Sequence, residues 1–129
     1  IRAHAAAERP HEACGLLLGA GAHITQAIGC RNVAADPLRR FEIDPAALFA
    51  ALREERAGGQ SWIGCYHSHP GGGAQPSLAD AEAAAPDGRL WLIAAGGDIT
   101  AWRASAAGAV SGRFDRLDLL AVGESLRQE

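Results

Sequence analysis

Apolar residues along this chain fall mainly in short runs that are separated by glycine, proline and polar positions. Short apolar runs closed by glycine are typical of buried strands, and alternation of apolar and polar residues is typical of half-buried ones. A tight turn at residues 19–21 is predicted to join the first two strands into a hairpin. The predicted strands span residues 12–19, 22–28, 40–43, 61–69, 90–94, 99–103 and 114–119.

The clearest helical pattern covers residues 46–56. Asp44 precedes it as the N-cap, Pro45 fills the first turn, and two glycines at positions 58 and 59 end it. Three large apolar residues fall on one face of this helix and predict the side that packs against the core: Leu48, Phe49 and Leu52.

Two shorter helices complete the pattern. The first lies in residues 1–9 and stops before Pro10, and the second spans residues 77–85 and stops before Pro86. The order of helix, strands, helix and strands predicts an α/β fold of the α+β kind, a mixed sheet flanked by helices. No repeat or linker divides the chain, so we predict one domain over residues 1–121 and a polar C-terminal tail over 122–129.

Composition narrows the class of protein. The 129 residues suit one domain, and a hydrophobic fraction of 48% allows an ordinary core. The formal net charge is -3 and no basic block occurs, which excludes nucleic acid or an anionic membrane as the main partner. No apolar run approaches the roughly 20 residues that span a bilayer.

The 3 cysteines show no disulfide or C-x-x-C pattern, so a reducing, cytoplasmic setting is expected. All of the basic residues are arginine, which is typical of proteins coded by GC-rich bacterial DNA.

The chemistry concentrates between His67 and Asp80. Side chains two apart in a strand point to the same face, so His67 and His69 are able to bind one ion. Pro70 ends the strand, and the three glycines that follow are expected to let the chain turn sharply. Asp80 then falls in the first turn of the next helix. Two imidazoles and one carboxylate leave a fourth zinc position for water, which is typical of catalytic rather than structural sites.

A zinc site of this kind needs a carboxylate that is not a ligand. Zinc lowers the pKa of its water to about 7, and a general base must take the proton and return it to the leaving group. Glu12, at the start of the first predicted strand, is the candidate. Ser77-x-x-Asp80 is also a plain capping box, which explains that pair without catalysis but does not explain the histidines.

These residues together resemble the JAMM (MPN-plus) metalloprotease family. The family pattern is an upstream glutamate, then His-x-His-Pro and a spaced Ser-x-x-Asp, found here as Glu12, His67-Ser68-His69-Pro70, Ser77 and Asp80. Outside the motif, three further stretches are similar to the compact bacterial members: residues 12–19, Asn32 and residues 41–44. The resemblance spans roughly residues 5 to 118.

The resemblance implies a JAB/MPN domain with a three-layer arrangement like that of cytidine deaminases. It implies Zn²⁺ on His67, His69 and Asp80, Glu12 as the acid and base, and Ser77 as a donor to the oxyanion. Members cleave after the C-terminal Gly-Gly of ubiquitin or ubiquitin-like proteins, and small bacterial relatives act on sulfur-carrier proteins or short peptides. We therefore expect a cytoplasmic zinc metallopeptidase, a monomer or homodimer, acting on such a C-terminus or on a peptide.

Two other functions fit parts of the pattern. The first is a non-catalytic scaffold of the same fold that only binds proteins, although inactive branches have generally lost ligand residues that this chain keeps. The second is cysteine catalysis by Cys65, which stands where the family commonly has an aromatic residue and shares a strand face with both histidines. The short chain lacks room for the insertions that grip polyubiquitin, so linkage-specific deubiquitination is not expected.

Overall fold

The computed structural model describes residues 1–120, which form a six-stranded sheet and three helices. The helices are α1 (Arg2–Glu8), α2 (Pro45–Arg56) and α3 (Leu78–Ala83). The strands are β1 (Cys14–Ala20), β2 (His23–Cys30), β3 (Ser61–Ser68), β4 (Leu90–Ala95), β5 (Asp98–Gly108) and β6 (Gly112–Leu117). The predicted domain boundary at residue 121 and the predicted tail over 122–129 lie outside the described residues.

The sheet has the strand order β2-β1-β3-β4-β5-β6. All neighbouring strands pair antiparallel except β3 and β4, which pair parallel. A parallel pair requires a crossover connection, because the chain must return to the edge where the first strand began. Here the crossover leaves the carboxyl end of β3 and contains α3, so it carries Ser77 and Asp80 past the end of the strand that holds His67.

Helices cover both faces of the sheet. On one face, α2 packs through Ala51 against Leu16 and Leu18, and Ala81 of α3 packs on an apolar cluster of Cys65, Trp91, Ile93, Trp102 and Phe114. On the other face, α1 lies over Tyr66, whose hydroxyl is 2.7 Å from Nδ1 of His4. The mixed sheet flanked by helices is therefore confirmed, and the three layers agree with the resemblance.

The strand predicted over residues 40–43 is wrong. Only an isolated bridge between Asn32 and Ile43 forms there. The amide side chain of Asn32 binds the backbone on both sides of Phe41, donating to the Arg40 carbonyl and accepting from the Glu42 N–H. Two backbone bonds flank the bridge, from the Val33 N–H to the Glu42 carbonyl and from the Asp44 N–H to the Arg31 carbonyl, but the pairing goes no further and the segment is a loop.

The packing face predicted for α2 is confirmed at Leu48 and wrong at Phe49. Phe49 is 61% exposed, and the helix instead packs through Ala47, Leu48 and Ala51. The packed face carries two alanines, and it lies against Leu16 and Leu18 of β1 and Trp62 of β3.

None of the three helices in residues 1–120 has the length and apolar character needed to cross a bilayer. The longest, α2, has 12 residues, well under the roughly 20 that a span requires.

Candidate metal centre

The two histidines are held at the carboxyl end of β3. His67 is inside the strand and fully buried, and His69 follows its last residue. The backbone N–H of His69 donates to the Ala94 carbonyl at 2.9 Å, so the extended pairing with β4 continues one residue beyond the strand. This keeps the two imidazoles on the same side of the sheet, as their spacing predicts.

Three ligand atoms meet at this point. Nε2 of His67 lies 3.0 Å from Nε2 of His69 and 3.0 Å from Oδ2 of Asp80, and Nε2 of His69 lies 3.1 Å from the same oxygen. Among residues 1–120, these three side chains form the only group of histidine, cysteine and carboxylate atoms close enough to hold one metal ion.

Asp80 reaches the histidines because its helix begins with a reciprocal cap. The Ser77 hydroxyl accepts from the Asp80 N–H at 3.0 Å, and Asp80 Oδ2 accepts from the Ser77 N–H at 2.9 Å. This capping box satisfies two backbone donors that the helix itself leaves free. It fixes the carboxylate and leaves the hydroxyl proton of Ser77 available to another acceptor, so the structural and chemical uses of the pair are compatible.

Contacts behind the histidines fix their orientation. Nδ1 of His69 lies 2.8 Å from the Gly73 carbonyl, so Nδ1 carries a proton and Nε2 is the ring nitrogen that is able to bind a metal ion. The His67 ring stacks on Phe41, with centroids 4.3 Å apart and planes at 20°, and Trp91 meets it edge-on at 5.6 Å. Nδ1 of His67 is buried with no hydrogen-bond partner.

The electrostatics of this group suit a cation. Burial lowers the pKa of His67, which favours the neutral imidazole that metals bind. Burial also opposes charge on His69, but hydrogen bonds to Asp80 and to the Gly73 carbonyl outweigh it and raise the pKa of His69. Burial would raise the pKa of Asp80 as well, yet hydrogen bonds from both histidines hold it well below its usual range. A buried carboxylate that stays ionised beside two imidazoles fits a divalent metal ion.

Glu12 lies immediately before β1 and is 6% exposed. Its backbone is fixed on both sides, because its N–H donates to the Pro37 carbonyl and its carbonyl accepts from the Asn32 amide. Its side-chain Oε1 is buried and has no hydrogen-bond partner. Burial raises the pKa of Glu12 to about 7, with nearby Asp80 adding to the rise and His69 opposing it.

Glu12, His69 and Ser77 line one cleft together with the segment from Pro70 to Gly73. None of Gly71, Gly72 and Gly73 has a left-handed φ, and a Cβ at Gly71 or Gly73 would meet no atom within 4 Å. The chain turns here as expected, although its backbone angles would also admit other residues. The common effect of the three glycines is to leave this wall of the cleft without side chains.

Cys65 lies away from the three ligand atoms, in the apolar cluster under α3. Burial raises the pKa of its thiol well above the ordinary value, so the neutral thiol predominates. A buried neutral thiol is a poor nucleophile and a poor metal ligand. The structure therefore gives no support to cysteine catalysis.

Two functional contacts were missed by sequence reasoning. Phe41 and Asn32 appeared there only as points of resemblance, whereas the structure shows that Phe41 stacks on His67 and that Asn32 ties the Phe41 loop to the backbone of Glu12. A single asparagine before an apolar loop gives no local signal of this role. It became visible only through contacts between residues distant in sequence.

Comparison with known proteins gives close matches to this chain. It is 37% identical over 94 residues to a desampylase of Haloferax volcanii, which covers 71% of this chain and 68% of that protein. It is 40% identical over 79 residues to a probable TtuB-protein conjugate cleaving protease of Thermus thermophilus, covering 61% of this chain and 53% of the relative. It is also 35% identical over 83 residues to tail tip assembly protein K of Escherichia phage N15, covering 62% of this chain but only 30% of that protein.

Solved structures and a family profile agree with these relatives. A solution structure of a protein from Desulfitobacterium hafniense superposes with a TM-score of 0.75 at 25% identity, covering 92% of this chain and 83% of the other. One from Salinibacter ruber gives a TM-score of 0.61 at 27% identity, covering 92% and 82%. The profile of prokaryotic homologs of the JAB domain matches residues 1–105. His67, His69 and Asp80 meet at one point, Glu12 lines a cleft with His69, and this chain belongs to the prokaryotic JAB domain family, the JAMM-type peptidases that its motif resembles.

Proposed function

We propose that this chain is a zinc-dependent peptidase or isopeptidase that hydrolyses the amide bond after the C-terminal Gly-Gly of a ubiquitin-like or sulfur-carrier protein, or a bond in a short peptide. The observation that carries the proposal is the meeting of His67, His69 and Asp80 within 4.8 Å of one another, where His69 also lines the cleft that contains Glu12. The names of two relatives, a desampylase and a conjugate cleaving protease, support the same class of bond.

The donor set supports zinc as the metal, with His67, His69 and Asp80 as its ligands. Two imidazole nitrogens and one carboxylate oxygen are common protein ligands of catalytic zinc sites. When bound, zinc acts as a Lewis acid and makes water a nucleophile near neutral pH.

Glu12 is proposed to move the protons. Its Oε1 has no partner within the protein, so it is free to accept a proton from the attacking water and to return it to the leaving amine. A pKa raised to about 7 suits this double role, because the carboxyl group exchanges a proton readily near neutral pH. Ser77 lines the same cleft, and its hydroxyl proton is proposed to bind the oxyanion that forms during attack.

The cleft favours a glycine-rich substrate tail. Its wall at Gly71, Gly72 and Gly73 presents backbone alone, so an extended peptide is able to approach it closely. A Gly-Gly tail adds no side chains of its own to that approach. Specificity for such a tail follows from close contact between two bare backbones.

The alternative is a scaffold of the same fold that binds proteins without hydrolysis. A scaffold needs no buried carboxyl group left without a partner, and such a group is costly to keep. Glu12 therefore favours the enzyme. The three cysteines are all free thiols, which supports a reducing, cytoplasmic setting for either function.

The test is a cleavage screen of zinc-loaded protein against ubiquitin-like carriers that bear a C-terminal amide adduct, with and without a chelator. We expect the wild type to release the adduct and the chelator to stop it. Glu12→Gln should retain zinc and lose at least about 100-fold in rate, since a general acid–base group typically contributes 10²–10⁴-fold.

Glu82→Gln is the matched control, because Glu82 is an exposed carboxylate on α3 that lies outside the cleft lining. It should cleave as the wild type does. Hydrolysis that survives both the chelator and Glu12→Gln would eliminate the proposal. Zinc binding with no cleavage of any carrier or peptide would favour the scaffold.

A further inference from the structure

The loop that joins β3 to α3 is held to the rest of the protein at two successive carbonyl groups. The Gly73 carbonyl accepts from Nδ1 of His69 at 2.8 Å. The Ala74 carbonyl accepts from the hydroxyl of Thr100 at 2.6 Å. Thr100 belongs to β5, which lies two strands away from β3 in the sheet, so this bond ties the loop to a distant part of the domain.

A second hydrogen bond fixes the direction of the Thr100 hydroxyl. The indole N–H of Trp102 lies 2.9 Å from the Thr100 oxygen, and Trp102 is only 2% exposed. An indole nitrogen can only donate, so the Thr100 oxygen accepts from it and its own proton goes to the Ala74 carbonyl. The three groups form a directed chain from the buried core to the loop.

Apart from these two bonds, the loop is held by longer ones: the Gly72 N–H donates to the His69 carbonyl at 3.3 Å, and the exposed Arg9 side chain donates to the Pro70 carbonyl at 3.3 Å. Gly71, Gly72 and Gly73 have wide backbone freedom, and among them only Gly72 has an atom close to its Cβ position, at 3.5 Å. Such a segment takes one conformation only where hydrogen bonds hold it. The bond from Thr100 fixes Ala74, the residue that follows Gly73. The carbonyl of Gly73 in turn sets which ring nitrogen of His69 carries the proton and how the ring is oriented.

We propose that Thr100 is a positioning residue for the metal centre: its hydroxyl holds the loop so that the Gly73 carbonyl orients His69 toward Asp80 and His67. The link from this role to hydrolysis rests on the proposed function. The link to His69 rests on the hydrogen bonds alone. Groups that orient a metal-binding histidine typically change metal affinity by 10–100-fold, and Thr100 acts through one further link, so we expect about 10-fold.

The experiment compares Thr100→Val, which has nearly the same shape but no hydroxyl, with Thr100→Ser, which keeps it. Thr25→Val is the matched control, because the Thr25 hydroxyl also donates to a backbone carbonyl, that of Leu18. Thr25 lies on β2, the edge strand that is furthest from β5. Zinc affinity is measured by competition with a chelator. In metal-free protein, nitrogen-15 NMR reads the ring protonation of His69 and the backbone order parameters of Gly73 and Ala74.

In Thr100→Val we expect about 10-fold weaker zinc binding, order parameters falling from rigid values near 0.85 to below about 0.6, and a His69 ring no longer held in one tautomer. Thr100→Ser and Thr25→Val should match the wild type within about 3-fold in zinc affinity. If Thr100→Val does not fold, Thr100→Ala, which leaves room for a water beside the Trp102 indole, takes its place with the same expectations.

The proposal is overturned if Thr100→Val or Thr100→Ala keeps wild-type loop order and zinc affinity. It is also overturned if Thr100→Ser is as impaired as Thr100→Val, because the methyl group would then be what matters. A wild-type protein that cleaves nothing defeats the proposed function and leaves this result intact, since the tautomer and the loop order are read without substrate or metal.

Discussion

Glu12 is an unusual residue in this fold. It is buried next to the first strand, its backbone is held by Pro37 and Asn32, and yet its carboxyl Oε1 has no partner. Keeping such a group buried costs folding stability whenever it is ionised. The proposed role of Glu12 as acid and base would account for this cost, which should be measurable in the metal-free protein.

The free energy of unfolding of metal-free protein should depend on pH through Glu12. Its pKa rises from 4.5 in its ordinary state to about 7 in the folded protein. The folded state therefore holds this proton more tightly than the unfolded state. Stability is greatest below about pH 4.5 and falls as pH rises through about 7, by up to roughly 3 kcal/mol from this group.

The measurement is urea unfolding of wild type and Glu12→Gln at pH 5 and pH 8 with a chelator present. Glutamine does not titrate, so the free energy of unfolding of Glu12→Gln, relative to that of the wild type, should increase from pH 5 to pH 8. Glu12→Gln should be the more stable protein at pH 8. The charges of His69 and Asp80 interact with Glu12, so the difference between the two proteins reports Glu12 together with this coupling. Parallel pH profiles for the two proteins would show that the Glu12 pKa is not raised.

At the scale of the elements, the central strands approach each other so closely that some glycines are obligatory. A Cβ on Gly15 of β1 would lie 2.2 Å from the Tyr66 ring and 2.3 Å from the Ile28 carbonyl oxygen. The glycine at position 71, in the cleft loop, would meet nothing within 4 Å. The same substitution should therefore have opposite effects at the two positions.

Gly15→Ala should lower the free energy of unfolding by about 2–3 kcal/mol, because the tightly packed strand must shift to admit the methyl group. Gly71→Ala should leave it unchanged or raise it by up to about 1 kcal/mol, since alanine restricts the unfolded chain more than glycine does. Urea unfolding of both variants beside the wild type gives the comparison. Equal destabilisation by the two changes would mean that the loop needs glycine for its fold.

The sequence was most informative where the rules are local. The alternation of His67 and His69 placed both on one face, and Ser77-x-x-Asp80 marked the start of α3; both expectations are met in the structure. The ends of α2 followed from Asp44, Pro45 and the glycines after the helix, and the hairpin of β1 and β2 from its apolar runs.

The failures involve contacts between residues distant in sequence. The strand expected over residues 40–43 is reduced to one bridge with Asn32, and the packed face of α2 includes Ala47 and Ala51 while Phe49 is exposed. Likewise, no periodicity predicts that Thr100 binds the Ala74 carbonyl 26 residues away. Side-chain hydrogen bonds and packing distance carry no repeating signal along the chain, so they appear only once the sheet order is known.

At the scale of the whole molecule, the metal centre joins parts of the chain that folding alone brings together. His67 lies near the end of β3, His69 follows the last residue of that strand, and Asp80 comes from the crossover helix α3. In the unfolded chain these side chains have no fixed arrangement, so a metal ion binds the native state in preference. Any ligand with that preference stabilises the native state in proportion to the logarithm of its concentration.

Zinc at about 100 times its dissociation constant should therefore raise the free energy of unfolding by about 2.7 kcal/mol, which for a domain of this size corresponds to a melting temperature higher by roughly 10 °C. Thermal unfolding with zinc or with a chelator measures the shift.

Asp80→Asn should lose most of this shift in melting temperature, because the carboxylate oxygen that both histidines approach is no longer charged. Asp87→Asn, which alters only a surface pair with Arg89, should keep it. An equal shift in wild type and Asp80→Asn would place the bound metal elsewhere, on exposed histidines such as His11, and would remove the physical basis of the centre.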